Sequence, residues 1–173
     1  MRSHESRLKN HVFFFEGIAA GQHYTHKGGM SNTVCLHSNP NFAKHTGKDT
    51  AQYIYGLEYE ISAFNPFSKA QHNTDAPCAV CTVHKRGSHI MVPGRNICPV
   101  GWTMEYKGYL MSAHYGHAGR TSAVCVDDDA ESFPRSQASK DGSLWYLIQA
   151  SCGSLPCGPY VNGRELTCAV CTK

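Results

Sequence analysis

The chain has 173 residues, 41% of them hydrophobic and 17% charged, which is enough apolar content for a packed core in one ordinary domain or two small ones. Its 16 Lys and Arg stand against 13 Asp and Glu, a formal net charge of +3 spread without any basic block, which argues against a nucleic-acid partner. No run approaches the roughly 18 apolar residues of a membrane-spanning helix, and nine cysteines exclude an ordinary reducing cytosol unless the thiols hold metal or do chemistry.

In chain order, residues 1–12 match nothing else in the sequence. The opening MRSHESRLKNHVFFFEGIAA is not a signal peptide, because its apolar stretch at 11–15 is short and is cut by Glu16. Exported-type cysteine usage without an export signal predicts a fragment or an amino-terminally incomplete product. No N-x-Ser/Thr sequon is present to help place the compartment. From residue 13 onward the pattern is of short strands. Segments such as YIYGLEYEI (53–61), HIMV (89–92), MEYKGYLM (104–111) and SLWYLIQA (143–150) are β-branched or aromatic and are bounded by Gly, Pro, Asn or Asp. No amphipathic helix of ten or more residues is evident, and Asn162-Gly163-Arg164 reads as a type I′ hairpin turn.

The chain contains itself twice. FFFEGIAAGQHYTHKGGMSNTVCL (13–36) lines up with MEYKGYLMSAHYGHAGRTSAVCV (104–126), so that His23, Tyr24, His26 and Gly28 fall on His114, Tyr115, His117 and Gly119. Cys35 precedes Cys78 by 43 residues, Cys125 precedes Cys168 by the same 43, and both copies close on Cys-Ala-Val-Cys-Thr. Copy one therefore runs from residue 13 to about His84 and copy two from about Arg95 to Lys173. KRGSHIMVPGRN (85–96) is the junction, and the boundary is set between residues 90 and 91. The expected fold class is all-β: two tandem homologous β-sheet subdomains with pseudo-twofold symmetry, disulfide-stapled and sharing one core.

Comparison of the copies also suggests cysteine pairs. Cys152 and Cys157 correspond to Ser62 and Phe67 and are absent together from copy one, as bonded partners would be. The counterpart of Cys98 falls at Arg7, so copy one lacks its opening Cys-Pro element while keeping its closing pair. We expect Cys35–Cys78, Cys125–Cys168, Cys98–Cys171 and Cys152–Cys157, with Cys81 a free thiol. The competing reading gives the two CxxC pairs, Cys78/Cys81 and Cys168/Cys171, to zinc. Their placement at repeat ends, 90 residues apart, speaks against it. A thioredoxin-type redox role would need the motif to open a helix, which neither context suggests.

ICPVGWTMEYKGYLM (97–111), SAVCV (122–126), CGSLPCGPYVNGRELTCAVCTK (152–173) and the duplicated CAVCT resemble the carboxy-terminal non-collagenous domain of invertebrate spongin short-chain collagens. That domain is similar to the corresponding domain of type IV collagen. The resemblance covers residues 13–173 and is most specific in copy two. It implies a duplicated β-rich fold that self-associates, possible trimerisation setting the register of a collagen helix, related collagen chains as partners, and a secreted extracellular-matrix location. The chain departs from the family in having no Gly-X-Y run and no Cys-Pro opening in copy one.

The most site-like features are the repeated tetrads His23/Tyr24/His26 and His114/Tyr115/His117. On a strand, His23 and Thr25 would share one face and Tyr24 and His26 the other, so the histidines of a tetrad would not converge on one metal without a bulge. A structural hairpin edge is the simpler expectation. The functional alternative is a duplicated pocket for a glycan, with Tyr stacking on a sugar and His bonding its hydroxyls. Asp127, Asp128 and Asp129 could offer oxygen to calcium, but consecutive spacing suits a solvated acidic loop. Trp102, Tyr106 and Trp145 read as core or interface aromatics. No serine or cysteine sits in a recognisable nucleophile motif, and the acidic residues have no context suggesting glycoside chemistry. Neither catalytic residues, nor a metal, nor a cofactor are therefore expected. The function indicated is that of a structural or assembly domain, with a secreted lectin or defence protein as the alternative.

Overall fold

The computed structural model describes residues 11–44 and 52–173. The segment containing Arg7, where the counterpart of Cys98 would fall, lies outside the described residues. Among those described there are nine strands and no helix: β1 (His11–Gly21), β2 (Val34–His37), β3 (Tyr55–Tyr59), β4 (Pro77–Val83), β5 (His89–Pro93), β6 (Thr103–Ser112), β7 (Val124–Asp127), β8 (Ser143–Leu147) and β9 (Thr167–Thr172). They form one mixed sheet in the order β2-β1-β3-β8-β6-β9-β5, with β4 added on β1 and β7 on β6. The chain is all-β and disulfide-stapled. Four bridges, Cys35–Cys78, Cys125–Cys168, Cys98–Cys171 and Cys152–Cys157, join eight of the nine cysteines.

Strand partners recur along the chain. β1 carries β2 and β4 antiparallel, and β6 carries β7 and β9 antiparallel. The close spacing has a steric cause at two glycines. A Cβ on Gly17 would run into the Leu36 carbonyl, and one on Gly108 into the Val126 carbonyl and the backbone of Asp127 and Asp128. Each glycine lies opposite a bridged cysteine, Gly17 across from Cys78 and Gly108 across from Cys168. The strand that spans the expected copy boundary is β5, which lies antiparallel on β9 from His89↔Thr172 to Pro93↔Cys168. The HIMV run, expected from the sequence as a short strand inside the copy junction, is a paired edge strand.

The centre of the sheet is the parallel pair β3–β8, with Leu57 opposite Ser143 and Tyr59 opposite Trp145. Consecutive burial of Leu57, Glu58 and Tyr59, and of Ser143, Leu144 and Trp145, is the signature of strands covered on both faces. Around them pack Ile61, Phe67, Ala76, Met111 and Val126. Tyr59 sits between Phe67 and Trp145 at ring separations of 6.1 Å and donates its hydroxyl to the Glu131 carbonyl at 3.2 Å. Burial, with Asp127 and Glu131 nearby, pushes that hydroxyl far above the ordinary tyrosine range.

The turn at Asn162-Gly163 differs from expectation. Arg164 N–H bonds the Val161 carbonyl at 3.2 Å, but positive φ occurs only at Gly163 (73°). A type I′ turn needs positive φ at both central residues, so this is not one. Around an isolated bridge between Gln149 and Glu165, Ala150 N–H bonds the Arg164 carbonyl at 2.9 Å, Gly163 N–H the Ala150 carbonyl at 2.8 Å and Leu166 N–H the Ile148 carbonyl at 2.8 Å.

Candidate functional site

Both tetrads fall just beyond strand ends, after Gly21 of β1 and Ser112 of β6, and both are turns. His26 N–H bonds the His23 carbonyl at 3.1 Å, and His117 N–H bonds the His114 carbonyl at 3.0 Å. This corrects the strand-alternation expectation. An i→i+3 bond curls the chain so that residues three apart come to the same side. His23 and His26 consequently stack at 4.5 Å, and His114 and His117 lie 5.4 Å apart. Tyr55 meets the edges of His23 and His26 at 4.7 and 5.6 Å, and Tyr146 stands against His114 and His117 at 5.1 and 5.4 Å. Thr25 N–H donates to His23 Nδ1 at 3.2 Å and Gly116 N–H to His114 Nδ1 at 3.1 Å, which in the neutral rings leaves the proton on Nε2.

The two turns abut. Gly119 N–H bonds the Tyr24 carbonyl at 2.8 Å, Tyr24 N–H bonds the Gly142 carbonyl at 3.1 Å, and the Tyr24 ring lies 4.9 Å from His117. A Cβ at Gly119 would run into the His23 carbonyl, so glycine is what allows this approach. The matching tyrosines consequently differ: Tyr24 is partly buried between the turns, while Tyr115 is 97% exposed.

Behind the turns lies a group that the sequence did not disclose. Oxygens of Glu58, Glu60 and Asp141 all lie within 4.8 Å of one another. The wholly buried Glu58 accepts Lys140 N–H at 2.9 Å and Asp141 N–H at 3.2 Å, fixing the loop in which Asp141 takes a φ of 56°. Burial raises the Glu60 carboxyl pKa, His72 at 3.6 Å pulls it down, and Asp141 and Glu58 raise it further. Burial likewise raises the Tyr146 hydroxyl, with contributions from Glu60, Asp141 and Tyr24. The three carboxylates are the described groups that could ligate a cation. Both Glu58 oxygens already hold backbone, so their evident work is to organise the loop beside the turns.

The histidines make this junction pH-sensitive. Burial lowers the His23 pKa, with His26 adding to the effect and Asp141 opposing it, and burial followed by His114 lowers that of His117. With these folded pKa values below 6.5, the unfolded chain binds protons first, and stability falls as pH drops from about 6.5 through the folded values. Thermal melts followed by circular dichroism between neutral pH and pH 5 should show a falling midpoint. The His23→Gln/His117→Gln chain should show a shallower fall, and an unchanged slope would contradict this assignment.

The remaining predicted positions have ordinary partners. Asp129 bonds Lys69 at 2.9 Å and Ser68 at 3.4 Å, Asp127 accepts Asp129 N–H at 3.0 Å, and Asp128 lies 4.0 Å from Lys107. Backbone and Lys69 thus engage Asp127 and Asp129, while Asp128 stays partly exposed beside Lys107. Trp145 is in the core, Trp102 is half-buried, and Tyr106 donates to the Cys125 carbonyl at 3.2 Å with its hydroxyl pushed up to about 12 by burial, Asp127 adding to the shift. Cys78, Cys168 and Cys171 are bridged and so closed to zinc, while Cys81 is free and exposed, its thiol pKa raised by partial burial.

Comparisons of the chain with protein-family models, with curated proteins and with solved structures find no match. Four disulfides are consistent with an extracellular protein, and no helix among the described residues is long and apolar enough to cross a membrane.

Proposed function

We propose that this chain is an assembly module of the extracellular matrix, binding copies of itself or collagen-type chains, as its resemblance to the spongin non-collagenous domain implies. The observation that carries the reading is the apolar surface left on a disulfide-locked sheet. Ile18 and Leu36 are opposed in register on β1 and β2 and both exposed, Phe14 is exposed further along β1, and Ile97, Val100 and Met104 are exposed around the Cys98 segment. Apolar side chains displayed in groups on a rigid scaffold suit contact with another chain. The recurrence of strand partners and of bridge positions supports two homologous subdomains related by a pseudo-twofold axis. A binding role, with no catalytic residues, follows from the same reading. Retention of this chain by immobilised collagenous chains of spongin type tests it. Saturable binding weakened by Ile18→Glu and Leu36→Glu is expected, and no binding to those chains or to itself would contradict it.

A glycan-binding role is favoured by one observation, the exposed Tyr115 ring lying 4.3 Å from His114 beside a Gly turn. On that reading Tyr115→Ala removes binding on a glycan array, whereas Tyr24→Ala acts mainly by loosening the junction. An array without signal rules it out.

A further inference from the structure

β4 and β9 share the residues CAVCT, yet their flanks differ. β9 is paired with β6 on one side and β5 on the other, whereas β4, among the described residues, is paired with β1 alone. Alternation tells which groups the open edge presents. Ser88 and Lys173 exchange both backbone bonds, and Gly94 N–H bonds the Thr167 carbonyl, so the odd-numbered residues of β9, Cys171 included, turn their N–H and C=O toward β5. On β4 the Ala76 carbonyl bonds Ala19 N–H across the β1 side. By the same alternation Ala79, Cys81 and Val83 turn theirs to the open edge.

That edge carries none of the usual guards against pairing. Ala79, Val80, Cys81, Thr82 and Val83 include no charge and no proline, and 79–82 are exposed. At its middle stands Cys81, the free thiol, at the position where β9 has Cys171 bridged to Cys98. A strand lying antiparallel on β4 about Cys81 would satisfy every outward group if it were β4 itself. Cys81 would face Cys81, and Ala79 would face Val83, with on the order of six backbone hydrogen bonds. Cα atoms of such a hydrogen-bonded pair lie about 5.5 Å apart, and the chain's own bridges span 5.4 to 5.9 Å between Cα atoms.

We propose that the β4 edge docks β4 of a second copy of this chain, antiparallel across a twofold axis at Cys81, and that a Cys81–Cys81 disulfide locks the pair. The inference names the partner and surface for the self-association proposed above and rests on that reading. In the locking step the two thiols give two protons and two electrons to a small-molecule disulfide such as oxidised glutathione. One S–S bond forms between the chains and two glutathione thiols are released. An isologous contact of this kind closes as a dimer.

The test is sedimentation velocity together with non-reducing gels of the full chain, incubated with oxidised glutathione. Wild type should give a reducible species at twice the 19.0 kDa chain mass. Cys81→Ser should abolish that species while keeping a reversible dimer. Ala79→Pro removes an outward N–H, which an edge position tolerates, and Cys81→Lys sets two ammonium groups opposite each other. Each should weaken dimerisation at least tenfold with circular dichroism unchanged. Undiminished association in both variants overturns the edge and leaves the assembly reading standing on another surface, whereas a wild-type chain that is monomeric at every concentration overturns both.

Discussion

A chain carrying Cys125→Ala and Cys168→Ala is expected to lose about 4 kcal/mol of stability, the loop-closure entropy returned to the unfolded state when a 43-residue crosslink opens. At roughly 3 °C per kcal/mol for a chain of this size, the melting midpoint falls by about 12 °C. Cys168 is fully buried opposite Gly108, so truncation also leaves unfilled space where β6 and β9 meet. Removing Cys152–Cys157, which closes only five residues, is expected to cost about 2 kcal/mol. Calorimetry on the two chains checks the order. Equal losses would show that loop entropy does not govern how these bridges act.

Gly108→Ala is expected to cost about 3 kcal/mol, the upper range for forcing extra atoms into a packed site. The new methyl meets only backbone, the Val126 carbonyl and the Asp127–Asp128 peptide, which cannot swing aside as a side chain would. Relief requires β7 to separate from β6, and Cys125 on β7 is tied to Cys168. Gly17→Ala should behave similarly through Leu36. Gly87→Ala is the control, because its Cβ meets nothing within 4 Å and its φ is not positive. Urea melts should therefore place the Gly108→Ala and Gly17→Ala midpoints about 1 M below that of Gly87→Ala, and a neutral Gly108→Ala would mean that β6 and β7 are not held at this spacing.

The cysteine pairs were legible because the chain carries its own comparison. Two 43-residue spacings, two cysteines absent together at Ser62 and Phe67, and one orphaned closing cysteine leave a single economical pairing, and the bridges join those residues. The strands were legible where aromatic and β-branched runs met turn residues. What escaped depended on contacts between distant residues. Nothing local to YGLEY or SLWYL says that β3 and β8 lie parallel. Glu58, on a strand buried on both faces, offered no periodic signal that it would meet Asp141. The tetrads were misread for a different reason: H-Y-x-H follows a strand directly, and only the bonds from His26 to His23 and from His117 to His114 show that the strand has already ended.

Association of the locked sheet with other chains, as proposed, is read by light scattering of the full oxidised chain over a concentration series. The mass should rise with concentration to a dimer or larger assembly of the 19.0 kDa chain. A strict monomer at every concentration would overturn the assembly reading.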